Sequence, residues 1–376
     1  MANIQMVDLR SQYLKIKDEI DRGILDVIDS SAFIGGPVVK EFSNNLEKYL
    51  GVKHVIPCAN GTDALQIALM VLGLKAGDEV ITTNFTFAAT VEVIALLGLK
   101  QVLVDVDVNS FNINPDNIRK AITPKTKAII PVHLFGQCAP MNEIMEIADE
   151  YNLYVVEDTA QAIGAKYTHK DGSISRAGTI GHFGTTSFFP SKNLGCYGDG
   201  GALFTNDLEL ADKVRVISNH GMKVRYYHDE IGVNSRLDSM QAAVLRIKLK
   251  KLDGYIQARQ KAAAHYDDKF ASSNNFKIPG RTDFSNHVFH QYTLRIKNID
   301  RAGLQTFLME KGIPAMIYYP VALHNQKAYD HGTYRDDQFP ITMKLCNEVI
   351  SLPMHTELDE EQLNFITDNV LSFTSN

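Results

Sequence analysis

Between about residues 50 and 205, short continuous apolar runs alternate with helical stretches, and that alternation limits the folds open to this chain more than any other feature. The runs at 54–58, 79–82, 102–106, 128–132, 154–157, 185–189 and 202–205 are rich in Val and Ile and predict strands buried on both faces. Helical patterns lie between them at 63–72, 88–97 and 141–151. In the last of these, Met141, Ile144, Met145, Ala148 and Tyr151 recur at the spacing of one helix face. Strands and helices in this order predict an α/β fold, a mainly parallel sheet covered by helices on both sides. Ligands of such sheets bind beyond the carboxyl ends of the strands. The sequence places Asn60-Gly61-Thr62, Thr83-Asn84, Asp105, His133, Asp158 and Gln161 at those ends, which predicts one site there.

A chain of 376 residues exceeds the roughly 250–300 at which a single core stops growing, so a large domain over 1–250 and a small one over 251–376 are expected. A long helical stretch, 239–271, leads into the second, and the polar segment 274–280 ends in Pro279-Gly280 as a turn or linker would. Beyond it, strands at 289–296 and 315–319 and helices at 302–311, 341–349 and 360–373 predict a smaller α+β unit. The 44 acidic and 38 basic residues give a formal charge of −6, which argues against a general nucleic-acid binder. No apolar run reaches the ~18–20 residues of a membrane helix. The opening residues 1–8 lack the basic-then-apolar pattern of a secretory signal, so a cytoplasmic protein is expected. Cys58, Cys138, Cys196 and Cys346 are scattered without metal-ligand spacing, and idle thiols are expected in place of a metal site or a disulfide framework.

The most informative segment is Ser187-Phe188-Phe189-Pro190-Ser191-Lys192, followed by the glycine-rich Asn193-Leu194-Gly195-Cys196-Tyr197-Gly198-Asp199-Gly200-Gly201. A lysine between a buried strand and such a loop can be desolvated, and a desolvated amine attacks carbonyls. Alone, Lys192 reads equally as a structural or phosphate-binding lysine, and the glycines as a plain turn. In Glu157-Asp158-Thr159-Ala160-Gln161, an acid at a buried strand end calls for a cationic partner, although Asp158 taken alone reads more readily as a helix cap. Asn60-Gly61-Thr62 opens an apolar helix whose free N–H groups could cradle a phosphate, or Asn60 could be a simple cap. Phe85 and Phe87 supply aromatic faces at another strand exit, where core packing is the plainer role. Together they offer an amine for a carbonyl, an acid for a ring nitrogen, a phosphate cradle and an aromatic plate, which is what pyridoxal phosphate requires.

In this order, and with Gly232-Val233-Asn234-Ser235-Arg236-Leu237-Asp238, the motifs resemble the DegT/DnrJ/EryC1/StrS nucleotide-sugar aminotransferases over about residues 7–353. The resemblance implies the type I PLP-dependent aminotransferase fold and a homodimer with shared active sites. It implies that Lys192 bonds covalently to the cofactor and moves the proton, that Asp158 pairs with the ring nitrogen, Gln161 with the ring hydroxyl, and that Phe87 stacks on the ring. Gly61, Thr62 and Ser187 would hold the phosphate, with Asn234 of the partner subunit reaching in. Relatives with histidine in place of the lysine dehydrate their sugars, so Lys192 favours transamination.

Within the family, the stretch around Lys192, Cys58–Gln66 and Ser351-Leu352-Pro353-Met354-His355 is similar to enzymes that aminate C3 of UDP-2-acetamido-3-keto-glucuronate with glutamate, in lipopolysaccharide O-antigen biosynthesis. Arg236 would then meet the sugar carboxylate, with Tyr318, Tyr319 and His324 as further substrate contacts. Those enzymes carry His where this chain has Tyr318. The alternatives are a dTDP-3-keto-6-deoxyhexose substrate and a non-catalytic regulator that binds the cofactor. A regulator needs an effector or DNA-binding segment, and the sequence offers neither. A nicotinamide enzyme is disfavoured because no GxGxxG opens a helix after a strand.

Overall fold

The computed structural model describes residues 4–330 and 332–373. Its centre is a seven-stranded sheet in the order His54–Cys58, Gly201–Thr205, Phe183–Ser187, Tyr154–Asp158, Thr126–Ile130, Glu79–Thr83 and Lys100–Val104. Five neighbouring strands, from Phe183–Ser187 to Lys100–Val104, run parallel, and Gly201–Thr205 runs against both of its neighbours. The chain therefore has the mainly parallel α/β sheet that the apolar runs predict.

Successive residues on each strand point to opposite faces. Val155 and Ile129 join one apolar cluster with Phe42, Leu46 and Leu245, while Val156, Ala128 and Ile130 join another with Leu65, Ala68 and Val214. Burial on both sides is what makes the strands read as unbroken apolar runs.

Three strands begin two residues earlier than the runs suggest. Lys100–Val104, Thr126–Ile130 and Phe183–Ser187 replace the expected 102–106, 128–132 and 185–189. Apolar runs report burial, whereas pairing in two of the three starts on a polar residue, Lys100 or Thr126. Lys100 sits opposite Glu79 in register and its amine lies 2.9 Å from that carboxylate. At the other end, Val106, Val132 and Phe188 stay buried after leaving the ladder and form the floor beneath the loops.

Three N-terminal helices, Leu9–Leu14, Lys17–Ser30 and Pro37–Leu50, were not among the expected elements. Ile20 packs with Val244 and Ile247 of the Ser239–Leu249 helix. The expected helix 239–271 is two helices, Ser239–Leu249 and Leu252–Phe270, broken at Lys250-Lys251.

The C-terminal part carries a three-stranded antiparallel sheet of Phe276–Lys277, Tyr292–Ile296 and Val349–Leu352. The expected strand 315–319 is reduced to a single bridge between Met316 and Ser351, after which the chain turns away and carries Tyr318 and Tyr319 toward the large sheet. Val349, expected in a helix, opens a strand instead. Leu252 and Ile256 belong to the first core and Ala262, Ala263, Tyr266 and Phe270 to the second, so one helix spans both cores. The wholly buried Arg259 on that helix donates to the carbonyls of Phe289, His290 and Met354.

Among the described residues no helix is long and apolar enough to cross a membrane, no group of three or more His, Cys, Asp or Glu is placed to hold a metal ion, and the four cysteines are free and buried.

One contact locks the segment that approaches the sheet. Asp105, just beyond the Lys100–Val104 strand, accepts from the amides of Ile341 and Thr342, both at 2.8 Å, and from the Thr342 hydroxyl at 2.7 Å. It thereby caps, from a distant part of the chain, a helix (Pro340–Glu348) that has no side-chain cap of its own. Asp105→Ala strands these donors and is expected to lower stability by about 3 kcal/mol in chemical unfolding.

Candidate active site

The adjacent acids Glu157 and Asp158 illustrate how the pleat builds the site. Glu157 points away from the cavity and is fully buried, accepting from the amides of Gly178 at 2.9 Å, Ile180 at 2.7 Å and Gly181 at 2.6 Å. Its fourth partner is Nε2 of His133, at 2.8 Å. Because the Ala139 amide donates to Nδ1 of His133, the proton of that ring sits on Nε2 and is donated to Glu157. Glu157 and His133 therefore brace the loop that feeds the Phe183–Ser187 strand.

Asp158 points the other way, into a cavity of about 700 Å³ at the carboxyl ends of the strands. Its Oδ1 accepts from the Ala160 amide at 3.1 Å and its Oδ2 from the Thr90 hydroxyl at 3.0 Å. Burial pushes its pKa upward, and the Ala160 amide, the Lys192 charge and the Thr90 hydroxyl oppose that rise.

Lys192 lines the same cavity. The strand before it stops at Ser187, because Phe188 turns inward and bonds through its backbone to Gly200 and Cys196 at the base of the loop. The loop folds back so tightly that a Cβ on Gly195 would stand 2.3 Å from the Pro190 oxygen. Protein surrounds the Lys192 amine on all sides but the cavity, and this desolvation lowers its pKa to about 8, with the Asp158 carboxylate partly offsetting the fall.

The start of the Gly61–Val71 helix faces the cavity. Asn60 caps it by accepting from the Asp63 amide at 2.8 Å, which leaves the Gly61 and Thr62 amides at the positive end of the helix. Gly61 is required by contact: a Cβ there would lie 2.7 Å from Cβ of Ser187. Gln161 has a fixed orientation, since Oε1 accepts from the Phe135 amide at 2.7 Å while Nε2 donates to the Tyr319 hydroxyl at 3.1 Å. One N–H of Gln161 remains for a ligand. Phe87 lines the cavity with its side chain 60% exposed, unusual for an aromatic at the mouth of a core.

These residues fit pyridoxal phosphate. An amine and a carboxylate share one cavity, helix N–H groups stand beside the Ser187 hydroxyl where a larger residue than Gly61 would intrude, and a fixed amide donor lies between them.

The structure thus brings together Gly61, Thr62, Phe87, Asp158, Gln161, Ser187, Lys192, Tyr318 and Tyr319 around one cavity. It leaves three expected residues outside the lining. Asn234 and Arg236 are exposed on a segment that bridges to Asn219 and Ile34. The third, His324, is buried, its Nδ1 lies 2.7 Å from Nδ2 of Asn84 and its Nε2 lies 3.0 Å from Asp336, so both nitrogens are engaged within the chain. Asp105, His133 and Asn84, read from sequence as part of the strand-end cluster, likewise serve the fold.

Sequence reasoning missed Thr90, Phe135, His290 and Gln291, which also line the cavity. Only the polar pair His290-Gln291 ahead of an apolar strand gave a signal. Burial and the charges of Lys192 and Arg259 hold the His290 pKa well below the usual histidine range, and its Nδ1 has no partner.

Glu157→Gln would set an amide against three backbone donors and is expected to destabilise the protein by about 3–5 kcal/mol, measured by chemical unfolding.

Known proteins share this architecture along its whole length. The model of the DegT/DnrJ/EryC1/StrS aminotransferase family matches residues 14–371. A "Pleiotropic regulatory protein" of Geobacillus stearothermophilus is 48% identical over 99% of this chain and 98% of its own. The UDP-2-acetamido-2-deoxy-3-oxo-D-glucuronate aminotransferase of Pseudomonas aeruginosa is 45% identical over 96% and 98%. The dTDP-3-amino-3,6-dideoxy-alpha-D-galactopyranose transaminase of Aneurinibacillus thermoaerophilus is 40% identical over 98% of each. The crystal structure of a DegT DnrJ EryC1 StrS aminotransferase from Brucella abortus superposes with a TM-score of 0.94 at 42% identity, covering 99% of this chain and 100% of that one. The chain belongs to the DegT/DnrJ/EryC1/StrS aminotransferase family.

Proposed function

We propose that this protein, working as a homodimer in the cytoplasm, moves an amino group from glutamate to C3 of a nucleotide-linked 3-keto sugar, with UDP-2-acetamido-3-keto-glucuronate as its substrate. The coarser statement stands on family membership: the protein is a PLP-dependent sugar aminotransferase. The observation that carries the proposal is the placement of Lys192 and Asp158 in one cavity beside the N-terminus of the Gly61–Val71 helix.

When bound, the cofactor supplies an electron sink that lets a proton leave the carbon bearing nitrogen. The remaining work falls to the chain. Lys192, with a pKa near 8, can both take and return that proton at neutral pH. Asp158 would face the ring nitrogen as a carboxylate and favour its protonated form. Gln161 would donate to the ring hydroxyl, and Phe87 would lie against the ring. The Gly61 and Thr62 amides and the Ser187 hydroxyl would hold the phosphate, joined by Asn234 of the partner subunit. Exposure of Asn234 and Arg236, away from their own chain's cavity, supports a site completed across subunits.

For the sugar, Tyr318 and Tyr319 offer hydroxyl groups at the cavity wall. Arg236 would pair with a uronate carboxylate, for which a guanidinium is geometrically suited. The name of the Pseudomonas aeruginosa relative supports a UDP-linked uronate, and that of the Aneurinibacillus relative supports the alternative, a dTDP-linked 6-deoxy sugar.

The name of the 48% identical relative supports a third reading, a regulator. Glutamate separates them: an aminotransferase loaded with cofactor converts its spectrum to that of the amine form on mixing, whereas a regulator leaves it unchanged. Lys192→Ala is expected to lower turnover by on the order of 10³-fold or more in a coupled glutamate assay. Arg236→Ala is expected to lower kcat/KM for the UDP-uronate roughly 10–100-fold while sparing a dTDP-6-deoxy sugar, and equal losses would count against the uronate.

A further inference from the structure

We propose that Thr90 is a positioning residue for Asp158: its hydroxyl donates to Oδ2 and fixes the orientation of the carboxylate within the cavity. The geometry is a property of the protein alone, while its consequence for catalysis rests on the reading of the cavity as a cofactor site.

Thr90 lies in the first turn of the Ala89–Leu96 helix, whose neighbouring residues Ala89, Val91, Val93 and Ile94 are buried. A threonine inside a helix usually turns its hydroxyl back to a carbonyl of the preceding turn. Here the hydroxyl has one partner, Oδ2 of Asp158 at 3.0 Å, and both residues are buried, at 1% and 6% exposure. An ionised carboxylate only accepts, so Thr90 is the donor. Oδ1 has its own donor in the Ala160 amide, at 3.1 Å. Each oxygen thus keeps one lone-pair direction for a ligand.

No cation lies within ion-pair distance of Asp158 among the described residues. The groups that face it are the Ala160 amide from its own loop, the Lys192 amine from the loop across the cavity, Thr90 from the helix, and the Tyr319 phenol from the C-terminal part. His133 stands near but spends its one N–H on Glu157. Burial favours the neutral acid, and Thr90 is one of only two direct hydrogen bonds that oppose it. Opposite a ring nitrogen, a neutral or misplaced acid would stabilise the positive charge of the protonated ring less than a fixed carboxylate does, so the electron sink would weaken.

Thr90→Val removes the donor and nearly preserves the shape, and Thr90→Ser retains the donor. The first measurement uses the ligand-free protein: competitive acylation across a pH series, with peptide mass spectrometry, reads the titration of the Lys192 amine. The wild type should titrate near 8. The Asp158 carboxylate supports the Lys192 ammonium, so a carboxylate freed to shift or to protonate in Thr90→Val should lower the midpoint, and Thr90→Ser should restore it. The second measurement is the dissociation constant for pyridoxal phosphate, expected to rise on the order of 10-fold in Thr90→Val and to show no further rise when Thr90→Val is added to Asp158→Asn. An unmoved Lys192 midpoint in Thr90→Val overturns the proposal, as does an equal weakening in the Asp158→Asn background. A shifted midpoint in a protein whose wild type binds no pyridoxal phosphate would sink the cofactor reading and leave the role of Thr90 standing.

Discussion

An amine and a carboxylate are held at the water-poor end of one sheet, and the arrangement works only because neither is fully at ease there. Burial disfavours the charged form of each, drawing the Lys192 pKa down to about 8 and that of Asp158 up. Each charge partly rescues the other across the cavity. A closer contact would lock them as an ion pair and silence the amine, while a wetter cavity would restore an ordinary lysine. The fold must set this separation, and it does so with backbone. Lys192 hangs from a loop fastened at Phe188, Cys196 and Gly200, and Asp158 from the last residue of a central strand.

The strand pleat supplies the second element of control. Glu157 and Asp158 are sequence neighbours with opposite duties, because alternate residues face opposite sides. Glu157 is saturated by three amides and His133 and is inert; Asp158 keeps acceptor capacity in the cavity. A carboxylate is thus spent on the scaffold or left as an acceptor in the cavity according to parity along the strand. Asp105 extends the logic to the edge of the sheet, where a carboxylate beyond the outermost strand caps the Pro340–Glu348 helix, whose Leu345 and Cys346 pack in one cluster with Ile317, Tyr318 and Tyr319.

The fold was legible in the sequence to the extent that burial dictates composition. Most strands covered on both faces read as short apolar runs rich in Val and Ile, and all seven strands of the large sheet were expected, including Phe183–Ser187 and Gly201–Thr205, which hold neither residue. Their ends were misplaced where apolar residues such as Val106 and Val132 stay buried after leaving the ladder. The amphipathic N-terminal helices carry half-exposed faces and left a weaker trace. In the cavity, the lysine, the acid, the glutamine and the capped helix stood out because each sits at a strand exit beside a glycine or another polar residue. Thr90 gave no such sign: a threonine in an apolar helix looks like core, and its role depends on which way one hydroxyl points. His324, expected as a substrate contact, lies outside the cavity lining with its nitrogens engaged by Asn84 and Asp336, partners that the sequence did not announce. Asn234 and Arg236 lie exposed outside the cavity, and the use proposed for them depends on a second subunit, beyond what one chain's pattern can place.

What the account requires above all is that the amine of Lys192 bond to the aldehyde of the cofactor. Reduction of the pyridoxal phosphate-loaded protein with borohydride, followed by peptide mapping, tests this directly. A pyridoxyl label on the peptide containing Lys192, and absent from the Lys192→Ala protein, is the predicted result. A label on another lysine, or none on a protein that binds the cofactor, would contradict it.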